Sequence, residues 1–523
     1  MEVGESCDKI QESQQHQRIL QVADEAFNGE DGQHKPLVPT DSALYVWGYN
    51  DCGQIAQGEV LGRRKPCLRV PMRVASHHFK ARRSARMVRL LDIACGLQHT
   101  AAVASDGSLF TWGSNAYGQL GDGSEDDCGK PKRVKSLREE FVKSVACGAH
   151  CTAAITVPRR SKDVPSPNSR LWVWGQNQGS NHPRIFWGVF SCNTSIIQVA
   201  CGMAHVAALS VEGVLQTWGY NEYGQLGRGL SCEGQQEARL VTAFVKFLDE
   251  PPELVRVSKV ACGEYHTAAV ADNGDLYTWG LGYMGQLGHR ALQSPHKEVL
   301  PRRVVGLEGV KVEDVACGGV HTCAVTSNGA LYMWGGGQAG QLGLGQNRDF
   351  VSLDANEVEF LLRRTPALVI PNGVRHVTCG QYHTLVAMVD GRLLGWGYNS
   401  YGQAATGRTA YAWHPSPIDW CVGEVRRLAA GGGHSAVLTQ AFSLKELCEL
   451  RLVDYVSLTS APKIEDIAAR NGSDSLARFC ERFREHLSTV DDDNFDEDED
   501  RRRRSRSKPK KPEYLLCHGS VRV

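Results

Sequence analysis

A cysteine and a histidine four residues apart recur along this chain, as in Cys95 and His99, Cys262 and His266, and Cys317 and His321. Thiolates and imidazoles are zinc ligands, so the spacing raises metal chemistry first. Four apart suits a helix face, yet these residues lie at strand starts. Each pair also belongs to a separate copy of a repeat, which parts the pairs in space. The expected role is therefore structural: buried histidines that hydrogen-bond the backbone between repeats. None of the 18 cysteines forms a C-x-x-C pair, which removes the usual zinc signature. Cys95, Cys147, Cys201, Cys262, Cys317 and Cys379 hold one repeat position, a packing site more naturally than half of a bridge. A reducing compartment follows.

No nucleophile elbow, phosphate-binding glycine loop or zinc-protease motif appears. Neither catalytic residues nor a cofactor or metal is expected. Charge is the remaining chemistry. Between positions 63 and 89 stand ten basic residues, Arg63, Arg64, Lys65, Arg69, Arg73, Lys80, Arg82, Arg83, Arg86 and Arg89, with no acidic one. Such a run is either a solvated face or a patch for phosphates or an acidic protein surface.

The elements that must position these groups follow from composition and repetition. The chain has 523 residues, 42% hydrophobic and 22% charged, as a soluble globular protein does. Lys+Arg and Asp+Glu both total 58, so net charge points to neither nucleic acid nor membrane. No apolar run reaches the roughly 20 residues that span a bilayer, and the first residues lack a signal-peptide core. The 55 glycines exceed the average of about 7% and suggest many short strands joined by turns.

The repeat reads Ala261-Cys262-Gly263-Glu264-Tyr265-His266-Thr267-Ala268-Ala269-Val270, then Asn273-Gly274, then Leu276-Tyr277-Thr278-Trp279-Gly280. Asn-Gly and Asp-Gly supply the positive φ of a tight hairpin, and the flanking runs have strand composition. A Gly-Gln-Leu-Gly turn and a further element ending near Arg133 or Val305 complete about four strands. Trp-Gly occurs seven times, at Trp47, Trp112, Trp174, Trp218, Trp279, Trp334 and Trp396, and each tryptophan is expected to pack against a neighbouring unit. A Gly-x-x-His element also occurs seven times when the shifted Gly148-Ala149-His150 is counted. The series starts on an orphan Trp47-Gly48 and ends on an orphan Gly431-Gly432-Gly433-His434. These are halves of one repeat, so the fold class is all-β: a seven-bladed β-propeller of four-stranded blades, closed by the N-terminal strand. The blade around Trp174 is irregular, with Gln176-Asn177-Gln178-Gly179-Ser180 in place of Gly-Gln-Leu-Gly and a polar stretch at 158–169.

These repeats resemble the regulator of chromosome condensation family over about residues 43–440. Leu281 to His289 and Ala316 to Cys323 look most like its plant members. The resemblance implies three activities: nucleotide exchange on a small GTPase, chromatin or histone association, and ultraviolet-B sensing in one plant branch. That branch needs tryptophan between the Gly and the His of successive repeats. Here those positions hold Leu97-Gln98, Met203-Ala204, Glu264-Tyr265, Gly319-Val320, Gln381-Tyr382 and Gly432-Gly433. The light-sensing tryptophans are absent from this chain.

Outside the propeller, residues 1–42 read as a disordered arm and 441–489 as a short α-helical extension. Leu444, Leu447, Cys448, Leu450 and Arg451 begin one amphipathic helix, Ser460-Ala461-Pro462 opens a second that Asn471-Gly472 closes, and Ser473 caps a third carrying Leu476, Phe479, Cys480, Phe483 and Leu487. This stretch resembles the helical tail that follows BTB domains in cullin adaptors, which implies a docking or dimerising appendage. Residues 490–523 read as a disordered tail, acidic from Asp491 to Asp500 and then basic. Arg501, Arg502, Arg503, Arg504, Arg506, Lys508, Lys510 and Lys511 fit a nuclear-import signal. The expectation is a non-catalytic interaction scaffold of nucleus and cytoplasm. Its partners would be proteins, such as a small GTPase or histones and chromatin, without a membrane or sequence-specific nucleic-acid contact. Guanine-nucleotide exchange is the alternative.

Overall fold

The computed structural model describes residues 42–484, except 57–58, 61–62, 65–66, 82–87, 160–168, 177–179, 187–193, 247–252, 291–296, 346–361, 420–422, 441–451, 453–459, 471–472, 474–475 and 482–483. Seven four-stranded antiparallel sheets form the expected propeller. Blades I to VI span residues 90–133, 140–185, 196–240, 257–303, 312–370 and 374–417. Blade VII joins Glu424–Ala430 and His434–Gln440 to Ser42–Tyr49 and Cys67–Arg73. Closure therefore uses two N-terminal strands, where the sequence suggested one. The first strand of every blade packs on its counterparts to either side, and Glu424–Ala430 meets Leu90–Cys95 to complete the circle.

Second strands such as His99–Ala104 (HTAAVA) and His266–Ala271 (HTAAVA) are buried at every residue. An alternating strand would leave one face to water, but a blade lies between two others, so both faces take small or apolar side chains. All seven tryptophans have no exposed surface. Six donate their indole N–H to a glutamine main-chain carbonyl in the preceding blade: Trp47 to Gln403, Trp112 to Gln54, Trp174 to Gln119, Trp279 to Gln225, Trp334 to Gln286 and Trp396 to Gln341, at 2.8–2.9 Å.

The repeated histidine works beside them. Nε2 of His99, His205, His266, His321, His383 and His434 lies 2.8–3.2 Å from the hydroxyl of Thr152, Thr267, Thr322, Thr384, Ser435 and Thr100 in the next blade. Each hydroxyl donates to the same glutamine carbonyl that receives the tryptophan. A hydroxyl has one hydrogen, so Nε2 must be the donor to it and the ring is the neutral Nε2–H form. The sequence placed the histidine's partner on the backbone. A hydroxyl intervenes instead, because the ring reaches the next blade's side chain before its main chain. Gly96 makes room for the ring: a Cβ there would stand 2.3 Å from His99 Cε1.

The junction from blade II to blade III breaks this pattern. Cys151 fills the histidine slot, pairing with Gly175 as His99 pairs with Gly113, and Val206 replaces the threonine. His150 is displaced toward Tyr117, with ring centroids 4.5 Å apart. Trp218 Nε1 has no acceptor, and Phe186 stacks on that indole at 4.6 Å instead. The irregularity legible around Trp174 thus propagates to the next tryptophan, since the missing Gly-Gln-Leu-Gly turn would have carried the acceptor.

Beyond the propeller, the chain from Asp454 onward forms a second unit. Within it Ala461–Arg470 is helical, as are residues 476–481. Ala461, Ile464, Ala468, Leu476, Phe479 and Cys480 are buried, and Arg484 bonds Glu465 at 2.5 Å. The expected helix at 444–451 and the tail, including the basic run at 501–511, lie outside the described residues. No helix among the described residues is long and apolar enough to cross a membrane.

Candidate functional site

Each blade turns its Gly-x-x-His loop and its Trp-Gly loop toward the same end, because His99 pairs with Gly113 and its equivalents do likewise. The Asp-Gly and Asn-Gly hairpins occupy the other end. Ser42 pairs with Gln440, so both ends of the propeller chain leave from that hairpin face.

The loop face is rich in tyrosine. Tyr49 and Tyr401 meet in a tilted contact, ring centroids 4.5 Å apart, across the closing junction, and Tyr398 and Tyr411 extend the group. Tyr220, Tyr223 and Tyr265 form a second cluster between blades III and IV, with Tyr223 and Tyr265 at 5.1 Å. Tyr117, Tyr283, Tyr401 and Tyr411 are 38–45% exposed. Burial and then Asp51 push the Tyr49 hydroxyl above its usual range; burial and then Glu222 do so for Tyr220; burial and then Glu264 push Tyr265 to about 12. Their O–H groups thus stay protonated beside carboxylates, and Tyr220 donates its own to Glu222. At the centre, Gln381 Nε2 of blade VI donates to Glu264 of blade IV at 2.6 Å. The pair passes over Gly319 of blade V, where a Cβ would stand 2.8 Å from the Gln381 carbonyl. The positions between the Gly and the His of each repeat therefore belong to this face. Tyrosine recurs at two loop positions of the repeat, as at Tyr223 and Tyr401 and at Tyr265 and Tyr382, and that recurrence was the available signal.

Six of the ten basic residues of the candidate patch lie among the described residues. Arg69 and Arg73 lie on the outermost strand of blade VII, Arg89 precedes the first strand of blade I, and Lys80 lies exposed on the outer flank. Arg63 and Arg64 form a two-residue strand with Glu59–Val60, while Lys65, Arg82, Arg83 and Arg86 fall outside the described residues. The chain crosses from blade VII to blade I within the segment. No group of three His, Cys, Asp or Glu with metal-holding geometry occurs among the described residues.

A closed seven-bladed propeller with a patterned loop face defines a class of repeat protein. The RCC1-like domain profile matches residues 181–444, and the regulator of chromosome condensation (RCC1) repeat profile matches 41–103 and 106–155. The chain belongs to the regulator of chromosome condensation repeat family. It is 32% identical over 364 residues to the ultraviolet-B receptor UVR8 of Arabidopsis thaliana, covering 67% of this chain and 75% of that one. It is 26% identical over 419 residues to the secretion-regulating guanine nucleotide exchange factor of Mus musculus, covering 77% and 85%. The human E3 ubiquitin-protein ligase HERC2 is 29% identical over 61% of this chain, which spans only 6% of that protein. Among solved structures, Prp20p of Saccharomyces cerevisiae shares the fold with a TM-score of 0.63 at 20% identity, over 80% of this chain and 95% of that one.

Proposed function

We propose that this propeller is a docking platform that holds a protein partner on its tyrosine face. The carrying observation is the pair of tyrosine clusters on one face, with Tyr401 and Tyr411 exposed and Tyr220, Tyr223 and Tyr265 half-buried. Tyrosine supplies rigid contact area together with a polar tip, and it is enriched where binding energy concentrates. Replacing Tyr223 and Tyr401 by serine together is expected to weaken partner binding by about 2 kcal/mol, roughly thirty-fold. Quantitative affinity purification of wild type and variant would show this as loss of one set of partners. Equal recovery would sink the proposal.

Nucleotide exchange on a small GTPase is the second reading, favoured by likeness to the mouse exchange factor along most of its length. Prp20p, whose binding to Gsp1p and histones has been described, has the same fold. Stimulated nucleotide release by the purified chain, across a GTPase panel, would replace the scaffold reading with this one.

The same proposal places the protein in nucleus and cytoplasm, with Arg501 to Lys511 as the import signal. A reporter fusion lacking 501–511 is expected to stay cytoplasmic. Undiminished nuclear accumulation would refute the role.

A further inference from the structure

A cavity of about 540 Å³ opens on the outer flank of blade I. It lies among the outermost strand Cys128–Arg133 and the short 3-10 turns Ser76–His78 and Lys135–Leu137. Lys80, Lys132, Arg133, Lys135, Arg138 and Arg159 line it together with His78, and among the described residues no carboxylate does. Its floor is apolar, with Phe110 and Leu137 buried. Only Lys80 comes from the basic run of the sequence. The others are gathered from blades I and II by folding.

The cations differ in how far they are already spent. Asp122 holds Lys132 at 2.5 Å, which neutralises it. The Arg138–Glu139 pair, at 3.4 Å, has both side chains more than 70% exposed, so water screens it and little is gained. Lys80 and Lys135 have no acidic partner among the described residues. Arg133 lies 5.3 Å over the Phe110 ring and donates to the Lys80 carbonyl. Arg159 lies 5.7 Å over Phe141 and donates from Nε to the Glu140 carbonyl at 2.9 Å. Two guanidinium planes are thus held by aromatic faces.

We propose that this cavity binds a phosphoserine- or phosphothreonine-bearing peptide. A phosphate monoester carries about −1.5 to −2 charge and three acceptor oxygens, which guanidinium forks and ammonium groups match. The apolar floor takes a side chain flanking the phosphorylated residue, a contact inorganic phosphate lacks. A nucleic acid backbone repeats its charge along a track, whereas these cations converge on one hollow beside apolar surface.

Full-length protein is tested by fluorescence anisotropy against a labelled phosphoserine peptide library with an apolar residue next to the phosphoserine. Its dephosphorylated counterpart, inorganic phosphate as competitor and a duplex DNA are run in parallel. Binding of the phosphopeptides at least about tenfold tighter than the unphosphorylated set is expected, with displacement by millimolar phosphate. Lys135→Gln with Arg138→Gln should lower affinity about tenfold with an unchanged melting temperature. The Tyr223→Ser/Tyr401→Ser variant should bind the phosphopeptides normally, which keeps this test independent of the tyrosine face. Equal affinity with and without phosphate would overturn the proposal. So would phosphopeptide binding untouched by the double glutamine variant, or DNA as the ligand which that variant loses.

Discussion

Acidification from pH 7 to pH 5 is expected to unfold the propeller in one cooperative transition. Burial holds His99, His266, His321, His383 and His434 down to about 3 and His205 to about 4. In the unfolded chain these rings titrate near 6.5. Between the two values the unfolded state binds more protons, so stability is complete above about pH 6.5 and falls as pH drops toward the folded values. Each ring contributes a slope of up to about 1.4 kcal/mol per pH unit, about 2 kcal/mol by pH 5. Six rings reach on the order of 10 kcal/mol, comparable with the roughly 5–15 kcal/mol of a whole domain. Asp92, Asp314 and Glu264, raised by burial, oppose the trend and offset part of it. Thermal melting from pH 7.5 to 5.0 at constant ionic strength checks this. A His321→Gln variant should show a slope shallower by about one proton, and a flat melting temperature would refute the account.

Removing residues 1–75 is expected to abolish folding. The cut takes Leu44, Tyr45, Val46 and Trp47, all at most 2% exposed, and the pairing of Ser42–Gly48 with His434–Gln440. Losing each large buried side chain costs about 2–5 kcal/mol, so the sum exceeds the stability of an ordinary domain. It also leaves the His434–Gln440 strand as an open edge. A circular permutant separates lost closure from lost sequence. Ser42 and Gln440 are cross-strand partners, so a short turn can join them, with new ends between Arg159 and Ser169. The permutant should fold and melt within a few degrees of wild type, while the truncated chain shows no transition by circular dichroism. A truncated chain that melts like the parent would mean closure is not what holds the ring.

Much of this architecture was legible because one repeat occurs seven times. Trp-Gly and Gly-x-x-His recur at constant spacing, and their orphaned halves at the two ends announce a shared blade. The second closing strand, Cys67–Arg73, was not legible, since its composition resembles neither repeat half. The clustering of the tyrosines was hidden for a different reason. Tyr49 and Tyr401 are about 350 residues apart and meet only after the ring closes.

The sequence by itself determined the unit, its number and its stacking, because local turn chemistry and strand composition are properties of neighbouring residues. It also carried the loss of the Gly-Gln-Leu-Gly turn after Trp174. Tertiary structure alone decided what that loss meant. It showed the acceptorless Trp218, the histidine relay broken at Cys151 and Val206, the tyrosine clusters and the cationic cavity of blade I. Each depends on groups from different blades meeting in space. A repeat specifies its own fold, but the contacts between copies are set by where the ring places them.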